Sequence, residues 1–259
     1  MGIEGIDGLL LDIDGVLAIS WEPISGSVET MRWLRSRDLP FRLITNTTTH
    51  SRRELARTLQ AAGFDVVAEE IVTAVVATAT YLRGAHPGAP TYVLTDGDPS
   101  GDLDAVRLVD RPEDAEVIVI GGACDDFSYD AVNRVFRRVM DGAVLVGMHR
   151  NRYWRTADGL QVDAGAFIAG LEYASGATAT ICGKPAPEYF RGALEMLGVP
   201  ASHALMVGDD VENDVMGAQR AGLTGVLVRT GKFRPDDLGR GDPDHVVGSL
   251  ADLPGLLGG

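Results

Sequence analysis

The sequence predicts an α/β fold with a largely parallel sheet, interrupted by a second α/β module inserted into it. Three observations carry this. Short apolar runs alternate with amphipathic stretches along the 259 residues. The alternation changes character after about residue 75 and takes up its first form again near residue 179. Polar clusters follow directly on predicted strands, which is where an open α/β sheet binds its ligands.

Taken in order, Leu9-Leu10-Leu11 is a first buried strand, ended by the acidic turn Asp12-Ile13-Asp14-Gly15. Residues 25–38 form a helix, because Val28, Met31 and Leu34 recur at every third position and face inward. Phe41-Arg42-Leu43-Ile44 is the second strand and ends at Thr45-Asn46. Ser51 caps a helix that runs through Ala62 and stops at Gly63. In the inserted stretch, 92–94, 117–120 and 144–146 are strands, and 129–140 and 163–174 are helices. The first pattern then returns with a strand at 178–181, a helix at 187–197 and a strand at 204–207 leading into Gly208-Asp209-Asp210. A helix at 211–221 and a strand at 226–228 follow, and 255–259 reads as a frayed tail. The expected division is a core of 1–75 and 179–259 with an insert of 76–178, each of ordinary domain size.

Composition narrows the function. A hydrophobic fraction of 45% and a charged fraction of 23% are ordinary for a soluble globular protein. Cys124 and Cys182 are too few and too far apart for a disulfide framework and fit a reducing compartment. The N-terminus lacks a basic start and a long apolar stretch, so the expected location is the cytoplasm. A net charge of −14 argues against nucleic acid and anionic membrane as partners. An anionic substrate then needs a local positive site. The chain has two lysines, Lys184 and Lys232, and its other 21 basic residues are arginine.

Four clusters supply chemistry. In Asp12-Ile13-Asp14-Gly15 one carboxylate can attack phosphorus and touch a metal, while the second can protonate the leaving oxygen. Thr45-Asn46 offers a hydroxyl and backbone N–H groups for phosphate oxygens, or equally an N-cap for the next helix. Lys184, between Gly183 and Pro185, can neutralise a phosphate at a strand tip. Asp209, Asp210, Asn213 and Asp214 are hard oxygen donors suited to Mg2+, although a helix N-terminus also favours acids. Two unit charges 4 Å apart repel by ~4 kcal/mol at an effective dielectric of 20, so gathering Asp12, Asp14 and Asp209 calls for a cation.

Together these clusters resemble the four motifs of the haloacid-dehalogenase superfamily, in order and over essentially the whole chain. The interval from Thr45 to Lys184 is where subfamily IIA members carry a large cap. The stretches 44–48, 170–174 and 230–235 are similar to the pyrophosphate and phosphoamino-acid phosphatase branch of that subfamily. The resemblance implies a Rossmann-like, doubly wound parallel core with an inserted α/β cap of the C2 type. It implies a phosphatase acting on a small phosphorylated metabolite through an aspartyl phosphate, and a homodimer formed through the cap. Carried over by position, Asp12 is the nucleophile and Asp14 the general acid/base. Mg2+ is held by the Asp12 side chain, the Asp14 carbonyl and the Asp209 side chain. Thr45, Asn46, Lys184 and the amides of Ile13 and Asp14 hold the phosphoryl group. Asp210 or Asp214 orients metal waters or Lys184 from behind.

Other residues receive a plainer reading. Cys182 is a packed small hydrophobe, and His149-Arg150-Asn151-Arg152 is either a substrate-reading loop or a solvated charged hairpin. Three rivals share the same chemistry: a phosphotransferase or phosphomutase, a phospho-accepting receiver domain, and a non-catalytic metabolite-binding protein.

Overall fold

A computed structural model describes residues 3–156 and 159–258. The first elements are β1 (Gly8–Asp12), a short hairpin of β2 (Ala18–Ile19) and β3 (Glu22–Pro23), α1 (Ser27–Ser36), β4 (Phe41–Thr45), α2 (Arg52–Ala61) and β5 (Ile71–Thr73). The next are α3 (Ala74–Ala85), β6 (Thr91–Leu94), β7 (Val117–Ile120), α4 (Tyr129–Met140), β8 (Val144–Gly147), β9 (Tyr153–Thr156), β10 (Gly159–Val162), α5 (Ala164–Ser175) and β11 (Thr180–Ile181). The chain finishes with α6 (Pro187–Leu197), β12 (Ala204–Gly208), α7 (Met216–Arg220), β13 (Thr224–Val228), β14 (His245–Val247) and α8 (Leu253–Leu256). Gly255 is thus helical rather than part of a frayed tail, and Gly259 lies outside the described residues. Among the described residues no helix is long and apolar enough to cross a membrane.

The chain forms two units. The first comprises Met1–Thr45, Arg52–Val72 and Lys184–Gly259, and the second Asn46–Ser51 and Thr73–Gly183.

The first unit is built on a six-stranded sheet in the order β14-β13-β12-β1-β4-β5. β1 runs parallel to both neighbours, with Leu9 opposite Leu205 on one side and Phe41 on the other. It lies in the middle because all three of its leucines are fully buried, which only a strand covered on both faces can achieve. Leu9 and Leu11 pack with Met31 and Leu34 of α1 and Leu55 and Leu59 of α2. Gly8 points the other way, where an added Cβ would stand 2.9 Å from Leu197 of α6, and strand alternation sends Leu10 to that same face. Each such leucine contributes about 1.5–3 kcal/mol by leaving water. Helices on both faces give the doubly wound core expected from sequence.

The second unit has a parallel four-stranded sheet, β11-β8-β7-β6, and an antiparallel hairpin of β9 and β10. Here the structure departs from the sequence reading. The strand expected to reopen the core pairs instead with β8, Thr180 opposite Val146, so the second unit extends through Gly183 rather than ending at 178. The longer of its two segments begins at Thr73, whose side chain caps α3 by accepting the Val76 N–H at 3.2 Å. Cys182 is buried beside Met148 and Ala74, and burial pushes its thiol up to about 12.

In the 149–152 segment Arg150 and Arg152 are exposed and Asn151 is half-buried, as a solvated loop would have them, whereas His149 turns inward. His149 is 2% exposed, its Nδ1 accepts the Asn151 N–H at 3.3 Å, and burial lowers its affinity for a proton. Arg150 pairs with Glu172 of α5, while the Arg152 carbonyl accepts the Asp163 N–H at 3.1 Å. Asp163 in turn caps α5 and also accepts the Ala123 N–H at 3.3 Å.

Candidate active site

The carboxyl ends of β1, β4 and β12 carry Asp12, Thr45 and Asp209, and Lys184 stands three residues before α6. Asp12 closes β1 and is 4% exposed. Lys184 reaches it at 2.7 Å through Oδ1 and reaches Asp214 at 2.6 Å through that residue's Oδ1. All three side chains are buried, so the ammonium is the counter-charge for both acids. Although burial opposes the charged form, Asp12 and Asp214 hold the Lys184 proton far more firmly than usual. One ammonium cannot fully serve two carboxylates, and Asp214, fully enclosed and facing Asp12, is pushed up to about 7.

Asp209 follows β12 and is 1% exposed. Its Oδ2 accepts the Lys232 N–H at 2.7 Å, whereas its Oδ1 is buried without a hydrogen-bond partner. Burial, reinforced by the charge on Asp12, pushes it up to about 8. One oxygen each from Asp12, Asp209 and Asp214 lie within 4.8 Å of one another. A buried carboxylate oxygen with no donor, beside two further acids, is the environment a hard cation satisfies, and an all-oxygen donor set suits Mg2+ over softer metals. Asp214 spends both oxygens, Oδ1 on the Lys184 ammonium and Oδ2 on the Asp210 N–H, whereas Lys184 bonds Asp12 at Oδ1 and Asp209 keeps an unbonded Oδ1, so Asp12 and Asp209 are the side chains that fit the ion.

This arrangement has a pH signature. Asp209 binds its proton more tightly in the folded protein than in the unfolded chain, so the stability it contributes is present below about pH 4 and is lost as pH rises toward about 8. In EDTA, the unfolding free energy from urea titration is expected to fall across that window more steeply than in Asp209→Asn. Equal slopes for the two proteins would overturn the assignment.

Two glycines permit the crowding. Gly15 has φ of 82°, and a Cβ there would stand 2.0 Å from Asp209 Oδ2 and 2.9 Å from Gly231 Cα. Gly231, with φ of 63°, is equally tight against Asp209. The Thr230 hydroxyl donates to the Gly15 carbonyl, so the turn that follows Asp12 and Asp14 is fastened to the loop that holds Asp209. The stretch 230–235 carries part of the family resemblance, and the sequence alone gives Thr230, Gly231 and Lys232 no place in the site. The signal available was that one of only two lysines sits there. Lys232 itself is exposed, with Nζ 3.9 Å from Asp210.

The remaining candidates divide. Asp14 is exposed at the turn and Ile13 is buried in the core. Thr45 is 3% exposed at the end of β4. Asp210 is spent locally: its Oδ1 accepts the N–H groups of Glu212 and Asn213, and its Oδ2 the Asn213 side chain. Though burial opposes it, the Asn213 N–H holds Asp210 below the usual range. Asp214 is the acid that touches Lys184, helped by Gly208, where any Cβ would strike it at 2.2 Å. Asn46 groups with the second unit, its Oδ1 2.6 Å from where a Cβ on Gly183 would stand.

A family model described as haloacid dehalogenase-like hydrolase matches residues 9–123, and a HAD-hydrolase-like model matches 181–253. The chain is 38% identical to the phospholysine phosphohistidine inorganic pyrophosphate phosphatase of Rattus norvegicus, over 98% of this chain and 95% of that protein. It is 34% identical to haloacid dehalogenase-like hydrolase domain-containing protein 2 of Homo sapiens, over 90% and 88%. Its fold matches the p-nitrophenyl phosphatase from Archaeoglobus fulgidus with a TM-score of 0.89 at 28% identity, covering 96% of this chain and 98% of that one.

Proposed function

Since the chain belongs to the haloacid dehalogenase-like hydrolase family and is a phosphatase of small phosphorylated compounds, we propose that it works through an aspartyl phosphate on Asp12 and depends on Mg2+. The observation that supports this best is Lys184 held between Asp12 and Asp214, beside an Asp209 oxygen that lacks a donor.

With Oδ1 of Asp12 engaged by Lys184, Oδ2 attacks phosphorus. The bond from phosphorus to the leaving oxygen breaks as Asp14, exposed at the turn, gives that oxygen its proton and is left as a carboxylate. Asp14 then takes a proton from water, whose oxygen attacks phosphorus. The bond to Asp12 breaks, inorganic phosphate leaves, and both acids return to their starting states. Lys184 and the Thr45 hydroxyl hold the phosphoryl oxygens, and Lys184 stabilises the charge that builds on them. A bound Mg2+, held by the Asp12 and Asp209 carboxylates and the Asp14 carbonyl, would neutralise the phosphoryl group as a Lewis acid. Asp214 fixes the Lys184 ammonium from behind.

Phosphate release from p-nitrophenyl phosphate tests the metal requirement. EDTA is expected to lower turnover by ~100-fold or more, and Mg2+ to restore it. Full activity in EDTA would remove the metal from the mechanism. No release from this ester or from a panel of phosphorylated metabolites, with Mg2+ present, would overturn the hydrolytic reading.

A further inference from the structure

Tyr189 takes no part in the steps above, yet its hydroxyl is committed to one of the residues that does. It is the third residue of α6, five positions after Lys184, and is 2% exposed. Its ring packs edge-on against Phe190 at 5.8 Å. A phenylalanine would fill the same space, so packing alone does not call for the oxygen. A buried hydroxyl costs free energy unless it is bonded, and this one is bonded three ways. It accepts the Thr45 N–H at 3.1 Å, lies 2.6 Å from the Val72 carbonyl oxygen and lies 3.2 Å from the Thr45 carbonyl oxygen. Having one proton, it donates along the shorter of the last two, to Val72.

The placement of these partners gives the contact its meaning. Asp12 opposite Ile44 is the last registered pair between β1 and β4, so the Thr45 amide stands beyond that ladder. A buried amide there needs an acceptor from elsewhere. Thr45 and Val72 are also the last residues of the first unit at the two points where the chain leaves it. Thr45 ends β4, and β5 is divided after Val72. Burial holds the phenol proton in place well above its ordinary range, so the group stays a neutral hydrogen-bonding clasp.

We propose that Tyr189 is a positioning residue for phosphoryl binding: by joining the Thr45 amide to the Val72 carbonyl, its hydroxyl fixes where the Thr45 hydroxyl stands at the strand end. This rests on the phosphate-holding role given to Thr45 above.

Tyr189→Phe, Thr45→Ala and the double variant test it, with inorganic phosphate as a competitive inhibitor of p-nitrophenyl phosphate hydrolysis in Mg2+. Circular dichroism and melting temperature monitor the fold. Thr45→Ala and Tyr189→Phe are each expected to raise the phosphate inhibition constant by about 5-fold, in line with one hydrogen bond. The double variant should then match Thr45→Ala within about 2-fold, because the two act through one hydroxyl. A melting temperature that drops while the inhibition constant stays at the wild-type value would make Tyr189 merely structural and overturn the proposal, leaving Thr45 untouched. Effects that multiply in the double variant would overturn it as well. Unchanged inhibition in Thr45→Ala would instead remove Thr45 from phosphate binding, and the proposal with it.

Discussion

Asp12→Asn is expected to lower kcat by about 10^4-fold or more while the protein keeps its fold. Asparagine has nearly the same shape but no anionic oxygen to attack phosphorus. The structural cost is small for a specific reason. Lys184 retains Asp214 as its partner at 2.6 Å, so no buried charge is stranded. Removing the Asp12 charge also relieves Asp209 and Asp214, both of which it pushes upward. The check is turnover of p-nitrophenyl phosphate in Mg2+ alongside circular dichroism. Residual activity within tenfold of wild type would take the nucleophile's role from Asp12.

Lys184→Met is expected to damage stability as well as activity. The lysine is 4% exposed and is the ammonium placed between two buried acids. Methionine keeps much of the volume but leaves both carboxylates without their counter-charge. Breaking a buried ion pair from one side costs about 3–5 kcal/mol. For a chain of this size each kcal/mol moves the melting temperature by about 2–4 °C, so a drop of roughly 6–20 °C should appear in metal-free buffer. Adding Mg2+ should recover part of it, since an ion at Asp12 and Asp209 supplies positive charge to the same cluster. Turnover should stay at least ~100-fold below wild type even when the ion is present, because the phosphoryl oxygens lose their ammonium. A melting temperature equal to wild type would show that Lys184 is not the counter-charge of this cluster.

What could be read from sequence was what is local. The leucines of β1 announce a strand buried on both faces, and the acidic turn after it follows from Gly15. α4 and α6 lie where their residue patterns put them, at 129–140 and 187–197. α3 escaped notice because Arg83 is its one charged residue, so its exposed positions, small or weakly polar, give a period little contrast to reveal. The helix expected over 211–221 opens as a π turn over Val211–Val215, where Asp214 turns inward to Lys184. β11 has two residues, and only its partner β8 reveals which sheet it joins.

The candidate site divides along the same line. Asp12, Lys184, Asp209 and Asp214 stood out because acids and a rare lysine followed strands. The bond from Thr230 to Gly15 spans 215 positions and that from Tyr189 to Thr45 spans 144; the motifs at Gly15 and Thr45 mark one end of each, and nothing in the sequence says which distant residue meets it. Asp210 and Asp214 are alike as acids after one strand. Tertiary packing alone makes one a turn cap and the other a partner of the lysine.

The central place of β1 has a consequence for the chain as it is made. β1 is finished at residue 12, but β12, its parallel neighbour, is finished only at residue 208. At about 5–20 residues per second of synthesis, that edge waits roughly 10–40 s for its partner. The sheet of the second unit spans only residues 91–181 and is complete in the nascent chain before β12 exists. The module inserted in the middle is therefore the first able to fold on the ribosome. The three leucines next to the acidic turn, with one edge of their strand still open, are what a nascent-chain chaperone would meet in the interval.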